Sequence, residues 1–163
     1  TKVYFPRIIV PASAVLVGLA DLLIASTVLA GLMLYYGITP GPAALLVPAL
    51  VALTVLCAAG AGFWLSALNV EYRDIRYTVP FLIQLWMFSS PVIYPSGIVP
   101  EKYQWLFALN PMAGLLKAFR AALLGHQPLD WGSLGVSAAV TALLLISGLF
   151  YFRRMERSFA DVI

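Results

Sequence analysis

Few residues in this chain could do proton or metal chemistry, and they are scattered. Its one histidine, His126, stands four residues before Asp130, one position short of the His-x-x-x-x-Asp spacing used by acyltransferases, and no second histidine or carboxylate cluster lies nearby. His126 therefore reads as a loop residue. The one cysteine, Cys57, sits inside an apolar run. A lone His and a lone Cys do not make a metal site, and one cysteine makes no disulfide framework. Asp21 is the only acid deep in an apolar run, about 16 Å along it at helical rise. A carboxylate at that depth is costly in lipid and faces either protein or water. It is thus a channel-facing acid, or a residue tied to a hydroxyl or amide of a neighbouring helix. The dense charge is elsewhere: Asn69 to Arg76 holds two arginines, a glutamate and an aspartate in a chain that is 10% charged. That stretch is a water-exposed loop. No Gly-x-x-x-x-Gly-Lys-Ser/Thr string occurs, so the chain supplies no phosphate-binding loop of its own.

The elements that position these residues follow from composition. Hydrophobic residues make up 62% and the mean hydropathy is +0.93. Several apolar runs reach about 20 residues, the length that crosses roughly 30 Å of hydrocarbon as a helix. They lack the period-two alternation of barrel strands, and lipid leaves no other way to satisfy the backbone. The class is all-α: a polytopic helical membrane protein. Four spanning helices are predicted, at residues 10–36, 45–68, 77–95 and 131–152. Tyr35 and Tyr36 suit an interface. The small-residue run from Ala58 to Gly62 predicts a close helix contact. Pro80 falls in the first turn of the third span, while Pro91 and Pro95 should bend or end it. The first residue is Thr1, in charged sequence without an apolar signal core, which predicts a fragment lacking an amino-terminal part.

Residues 98–125 are apolar enough to suggest a further span. Asn110-Pro111 and Gly114 divide them into pieces of about 9 and 11 residues, roughly 14 and 17 Å, and neither crosses alone. A re-entrant or interfacial helical hairpin fits better. Charge placement agrees. With four spans, Lys2, Arg7, Arg73, Arg76, Arg153, Arg154 and Arg157 share one side, against Lys102, Lys117 and Arg120 on the other. That is the positive-inside asymmetry, and a fifth span through Leu106 to Leu124 would abolish it. Residues 1–9, the loop 69–76 and the tail 153–163 are then cytoplasmic, and the hairpin is external. The net charge of +3 sits mostly in loops, where it orients the chain in a membrane rather than binding nucleic acid.

With that topology, three strings carry a resemblance: LNVEYRDIRYTVPFLIQLWMFSSPVIYP, LNPMAGLLKAFRAALLG and FRRMERSFADVI. In this order they resemble the carboxy-terminal two thirds of the permease subunit of bacterial ABC-2 type exporters of lipid-linked polysaccharides such as O-antigen, capsule and teichoic acid. The opening KVYFPRIIVP is similar to that family's segment before its third span. The resemblance implies a six-span inner-membrane permease that pairs with a second copy of itself and docks two ATPase subunits. Those partners would hold ATP and Mg, while this chain binds no cofactor. The transported species would be a lipid-linked glycan.

Site roles combine this resemblance with the chemistry of each position. Tyr4, Phe5, Pro6 and Arg7, with Tyr72, Arg73, Asp74 and Arg76, become elements coupled to the ATPase; the alternative is that the arginines only set topology against lipid headgroups. Gln84, Trp86, Phe88 and Tyr94 are candidates for the substrate path, because sugar rings stack on aromatic faces and accept bonds from amide and indole N–H groups. As an alternative they are packing or interface anchors. Trp105, Asn110 and Pro111 belong to an external gate hairpin, with Asn110-Pro111 forming its turn. For Asp21 the helix-joining reading is favoured, since a glycan path needs no proton relay. Two other functions stay open: an exporter of drugs or small lipids on the same fold, and a polytopic enzyme acting on lipid-linked sugars. The enzyme would need paired carboxylates or a His–acid set at one interface.

Overall fold

The computed structural model describes residues 9–72, 74–92, 94, 107–125 and 128–159. Tyr4, Phe5, Pro6, Arg7, Arg73, Trp105 and His126 lie outside the described residues. Within them the fold is helical, with no strand: α1 (Ile9–Tyr35), a 3₁₀ turn (Pro42–Leu46), α2 (Val47–Glu71), α3 (Ile75–Ser89), α4 (Pro111–Leu124) and α5 (Trp131–Phe159).

Among the described residues three helical stretches are long and apolar enough to cross a membrane: Ala12–Tyr35, Pro42–Glu71 and Trp131–Met155. In α1 the hydroxyls of Ser26 and Thr27 donate back to Leu22 O and Ile24 O, both at 2.7 Å, so neither is left bare to hydrocarbon. Helix α1 stops where Gly37 adopts φ 67°, a left-handed conformation that a side chain disfavours. There Ile38 N–H reaches Met33 O at 2.9 Å and Gly37 N–H reaches Leu34 O at 3.2 Å, a Schellman closure of the last turn.

Helix α3 is shorter than the expected 77–95 span. It has 15 residues, about 22 Å, and its last turn closes as Ser90 N–H meets Met87 O. The chain turns at Ser90–Val92, where Pro91 has no N–H to extend a helix. The helix also starts earlier than expected, at Ile75, so Pro80 lies in its second turn. Pro80 therefore cannot donate to the Arg76 carbonyl.

Gly114, expected to divide the external segment, lies inside one continuous helix, α4. Its missing side chain serves packing. A Cβ there would stand 2.6 Å from Ser133 O and overlap the Ser137 hydroxyl, so only glycine admits α5 at this distance. Helix α4 is bounded by its own signals. Asn110 caps the start with Oδ1 accepting from Met112 N–H at 3.1 Å, Pro111 follows at the first helical position, and Gly125 ends it at φ 66°.

Helices α2 and α5 run parallel. Leu134 packs near Leu50, Leu144 and Leu145 press on Gly60, and Phe152 meets Phe63 at 5.8 Å between ring centroids. The contact expected in Ala58–Gly62 is made by Gly60, whose absent Cβ would lie 2.8 Å from Leu145 N. Gly148 answers it from α5, 2.7 Å from Gly60 O by the same measure. Helix α4 wedges between the beginnings of these two helices, with Leu115, Ala118 and Ala122 buried on Leu50. The opposite end of the pair carries the exposed Arg153 and Arg154.

Candidate functional site

The residues singled out for function fall at the two ends of α3 and along its exposed face. At one end, α2 reverses into α3 within three residues. Tyr72 is extended (φ −126°, ψ 103°), its N–H bonded to Leu68 O at 2.8 Å and its carbonyl accepting from Ile75 N–H at 3.1 Å. The Tyr72 backbone is thus tied on both sides without using side chains. Tyr72, Asp74 and Arg76 are all exposed, and Asp74 does not cap α3 although an aspartate there could. Among the described residues neither the Asp74 carboxylate nor the Arg76 guanidinium has a partner. Behind the elbow, Glu71 accepts a hydrogen bond from the Tyr151 hydroxyl at 2.7 Å. The Tyr151 ring stacks on Trp64 at 4.7 Å, and the Trp64 indole donates to Ser147 Oγ at 3.0 Å. The elbow therefore rests on the packed α2–α5 pair.

The four candidate path residues separate. Gln84 and Phe88 lie four apart and share the exposed face of α3, together with Tyr77, Phe81 and Leu85. Trp86 points away from that face. It is half-buried, and its indole Nε1–H donates to Asn110 Oδ1 at 3.1 Å. Tyr94 belongs to the turn beyond α3: its hydroxyl donates to Phe88 O at 3.0 Å and its ring meets Phe107 edge-on. Exposed Phe81 and Tyr77 were missed in the sequence, although their spacing from Gln84 and Phe88 is helical.

At the far end of α3, α4 supplies a set of polar bonds. Asn110 Nδ2 donates to Ser90 Oγ at 2.9 Å and to Ser89 O at 3.2 Å. Arg120, two turns or more further along α4, donates from one guanidinium nitrogen to Pro91 O at 2.6 Å and Val92 O at 3.0 Å. These carbonyls belong to the turn that ends α3, where helical donors run out, and a cation there also suits the helix dipole. Asn110 is thus more than the turn expected of it: it caps α4 and binds α3 with the same amide. Pro111 is buried at the first position of α4. Below this junction lies an apolar groove of about 290 Å³ between α2, α3 and α4, lined in part by Cys57, Trp86 and Met112.

Asp21 is exposed on α1 and has no hydrogen-bond partner among the described residues. It does not line the apolar cleft of about 560 Å³ between α1 and α2, which runs past Gly18, Leu22 and Gly62. Asp130 works locally at the start of α5. Its carboxylate accepts from Ser133 N–H at 3.1 Å and from the Ser133 hydroxyl, and these bonds hold it below the usual carboxylate range. Among the described residues no group of three His, Cys, Asp or Glu side chains could hold a metal ion.

The family described as ABC-2 type transporter matches residues 2–124. The O-antigen export system permease protein RfbA of Myxococcus xanthus is 30% identical over 165 residues, covering 100% of this chain and 64% of that protein. A Klebsiella pneumoniae protein of the same name is 26% identical over 163 residues, 99% of this chain and 62% of its own length. The polysialic acid transport protein KpsM of Escherichia coli is 23% identical over 107 residues, 65% of this chain and 41% of that protein. The chain thus spans less than two thirds of the length of these relatives. Its apolar helices, its charged elbow and a match across more than half its residues lead to one conclusion: this chain belongs to the ABC-2 type transporter family.

Proposed function

We propose that this chain is the membrane-spanning part of an exporter that moves a lipid-linked polysaccharide across the bacterial inner membrane, powered by ATP hydrolysis on a separate subunit. One observation carries the reading. A single helix, α3, joins the exposed charged elbow at Tyr72–Arg76 to an exposed face bearing Gln84, Phe81 and Phe88. A push on the elbow passes along this one helix: Pro80 removes a single backbone bond near its start, and the bonds beyond it keep the rest stiff. The names of the relatives, which are export and transport proteins for O-antigen and polysialic acid, support the choice of a glycan.

In this reading the elbow, with Arg73 and the Tyr4–Arg7 segment, faces the cytoplasm and docks the ATPase. Arg and Tyr suit such an interface because they give forked hydrogen bonds and a large contact area. ATP and Mg are held by that partner. The aromatic and amide face of α3 meets the glycan, offering stacking surfaces and no fixed charge that would trap a long polymer. A second copy of the chain completes the path, and the carboxy terminus is cytoplasmic with Arg153 and Arg154. No role as an enzyme is assigned to the chain.

The test is co-purification of the full-length permease with the ATPase encoded beside it, comparing wild type with Arg76→Glu and Arg73→Glu. The reading expects a stable wild-type complex, and loss of ATPase binding in the variants while membrane insertion is unchanged. An elbow that tolerates both charge reversals with full ATPase binding and full export would overturn it.

A further inference from the structure

The polar bonds at the outer end of α3 have a use beyond folding. Helix α3 is the least supported of the long elements: none of its residues is buried, and its packing is chiefly against α2. Near its inner end Pro80 leaves the Arg76 carbonyl without its helical donor. Apolar contact alone therefore does not fix where its exposed face points. By contrast α4 is anchored, with Pro111, Ala113, Gly114, Leu115, Ala118, Ala121 and Ala122 buried against α2 and α5.

From these two facts we infer that Asn110 and Arg120 are positioning residues, a latch on α4 that holds the outer end of α3 and so fixes the face bearing Gln84 and Phe88. The bonds converge on four consecutive residues, Ser89 to Val92, from two positions ten residues apart on one rigid helix. Two well-separated attachment points resist rotation as well as translation, which one cap could not do. The Trp86 indole closes the set by donating to the same amide whose nitrogen holds Ser89 and Ser90. Arg120 is suited to this place for a second reason. A guanidinium close to hydrocarbon is tolerated when backbone carbonyls take its charge-assisted bonds, and a helix end is where carbonyls are free.

The consequence for export rests on the proposed function; the latch itself does not. With the latch broken, ATP hydrolysis on the partner continues while the helix it pushes no longer presents its face in register. Export per ATP then falls.

The experiment uses the full-length permease with its ATPase in lipid nanodiscs and proteoliposomes. Asn110→Asp separates the latch from the cap: an aspartate caps a helix as well as asparagine and still accepts from Trp86, but it cannot donate to Ser89 O or Ser90 Oγ. Arg120→Ala removes the second attachment, and Arg120→Lys restores one donor. Amide hydrogen exchange is followed separately over residues 86–92 and 113–122. The latch predicts exchange over 86–92 faster by about tenfold in Asn110→Asp with Arg120→Ala, with 113–122 changed by less than about twofold and partial recovery in Arg120→Lys. Unchanged exchange over 86–92, or equal loosening of both segments, overturns it. Export per ATP falls about fivefold or more in the same double variant if the latch fixes the path; unchanged export with faster exchange overturns that positioning role. A wild-type complex that hydrolyses ATP but exports no glycan sinks the proposed function instead, and the exchange result still decides whether the latch exists.

Discussion

Two junctions of the molecule are built on opposite plans. Between α2 and α5, Gly60 and Gly148 bring backbone against backbone, and Phe63, Ala67 and Phe152 fill the remaining space. Between α3 and α4 the tie is a handful of directional hydrogen bonds from Asn110, Arg120 and Trp86. In a membrane the first plan draws on dispersion and shape, which lipid cannot imitate as closely, so the two helices behave as one body. The second plan depends on a few atoms and can be undone without rebuilding a core. A transporter needs both kinds, a frame that stays and an element whose position can be set.

The largest effect should come from breaking the frame. A Cβ at Gly148 would lie 2.7 Å from Gly60 O, against backbone that cannot yield. Gly148→Leu should therefore cost about 3 kcal/mol or more and abolish a folded, monodisperse protein in detergent thermal melts. A variant that melts with wild type would show that the two helices are not packed as described. Next comes the wedge. Leu115 is 1% exposed on the buried face of α4, and Leu115→Ala should cost about 2–4 kcal/mol by leaving a cavity. Unfolding measured at several denaturant concentrations would show whether α4 is as firmly anchored as the latch requires.

A smaller change sharpens the other side of the comparison. Trp86→Phe keeps an aromatic side chain, though a smaller one, and removes the N–H that reaches Asn110, a hydrogen-bond loss of about 1 kcal/mol confined to the α3–α4 junction. Hydrogen exchange over the end of α3 should rise while the global melt barely moves.

Asp130 gives a pH test of similar or lesser size. Its carboxyl is held below its ordinary value by Ser133, so its contribution is present above about pH 4 and is lost as pH falls through the lower folded value. Because Asp130 is exposed, Asp130→Ala should cost no more than about 1 kcal/mol at pH 7 and less in strong acid, where only the neutral cap remains to be lost. Asp130→Asn should keep most of the cap and lose the pH dependence, as read from melts across that range. The smallest stability effect belongs to Gln84→Ala on the exposed face, within about 0.5 kcal/mol. Export by the full complex should nonetheless fall, which would separate a path residue from a packing one.

How far the sequence could be read depended on the range of the signal. The long apolar helices, the asparagine–proline start of α4 and the end of α3 near Pro91 are local, and periodicity and breakers carry them. Gly114 was misleading because a glycine that permits close packing has the same local signature as one that ends a helix. Only the presence of Ser133 and Ser137 opposite it decides the matter. Arg120 counted in the sequence merely as an outer-side charge, since its carbonyl partners lie 28 and 29 residues away. The same distance problem hid the role of Trp86, which shares aromatic character with Phe88 but faces the other way. Asp21 was expected to find a neighbouring hydroxyl or amide, and among the described residues it meets none.

The proposed function turns on contact between the exposed face of α3 and the transported glycan. It is tested most directly by replacing Phe88, and separately Leu143 on the exposed side of α5, with a benzophenone amino acid in the full-length permease and irradiating cells that are exporting glycan. A glycan adduct at residue 88 that requires an active ATPase, with none at residue 143, is the predicted result. Equal adducts at both positions, or none at residue 88 while export proceeds, would contradict the claim.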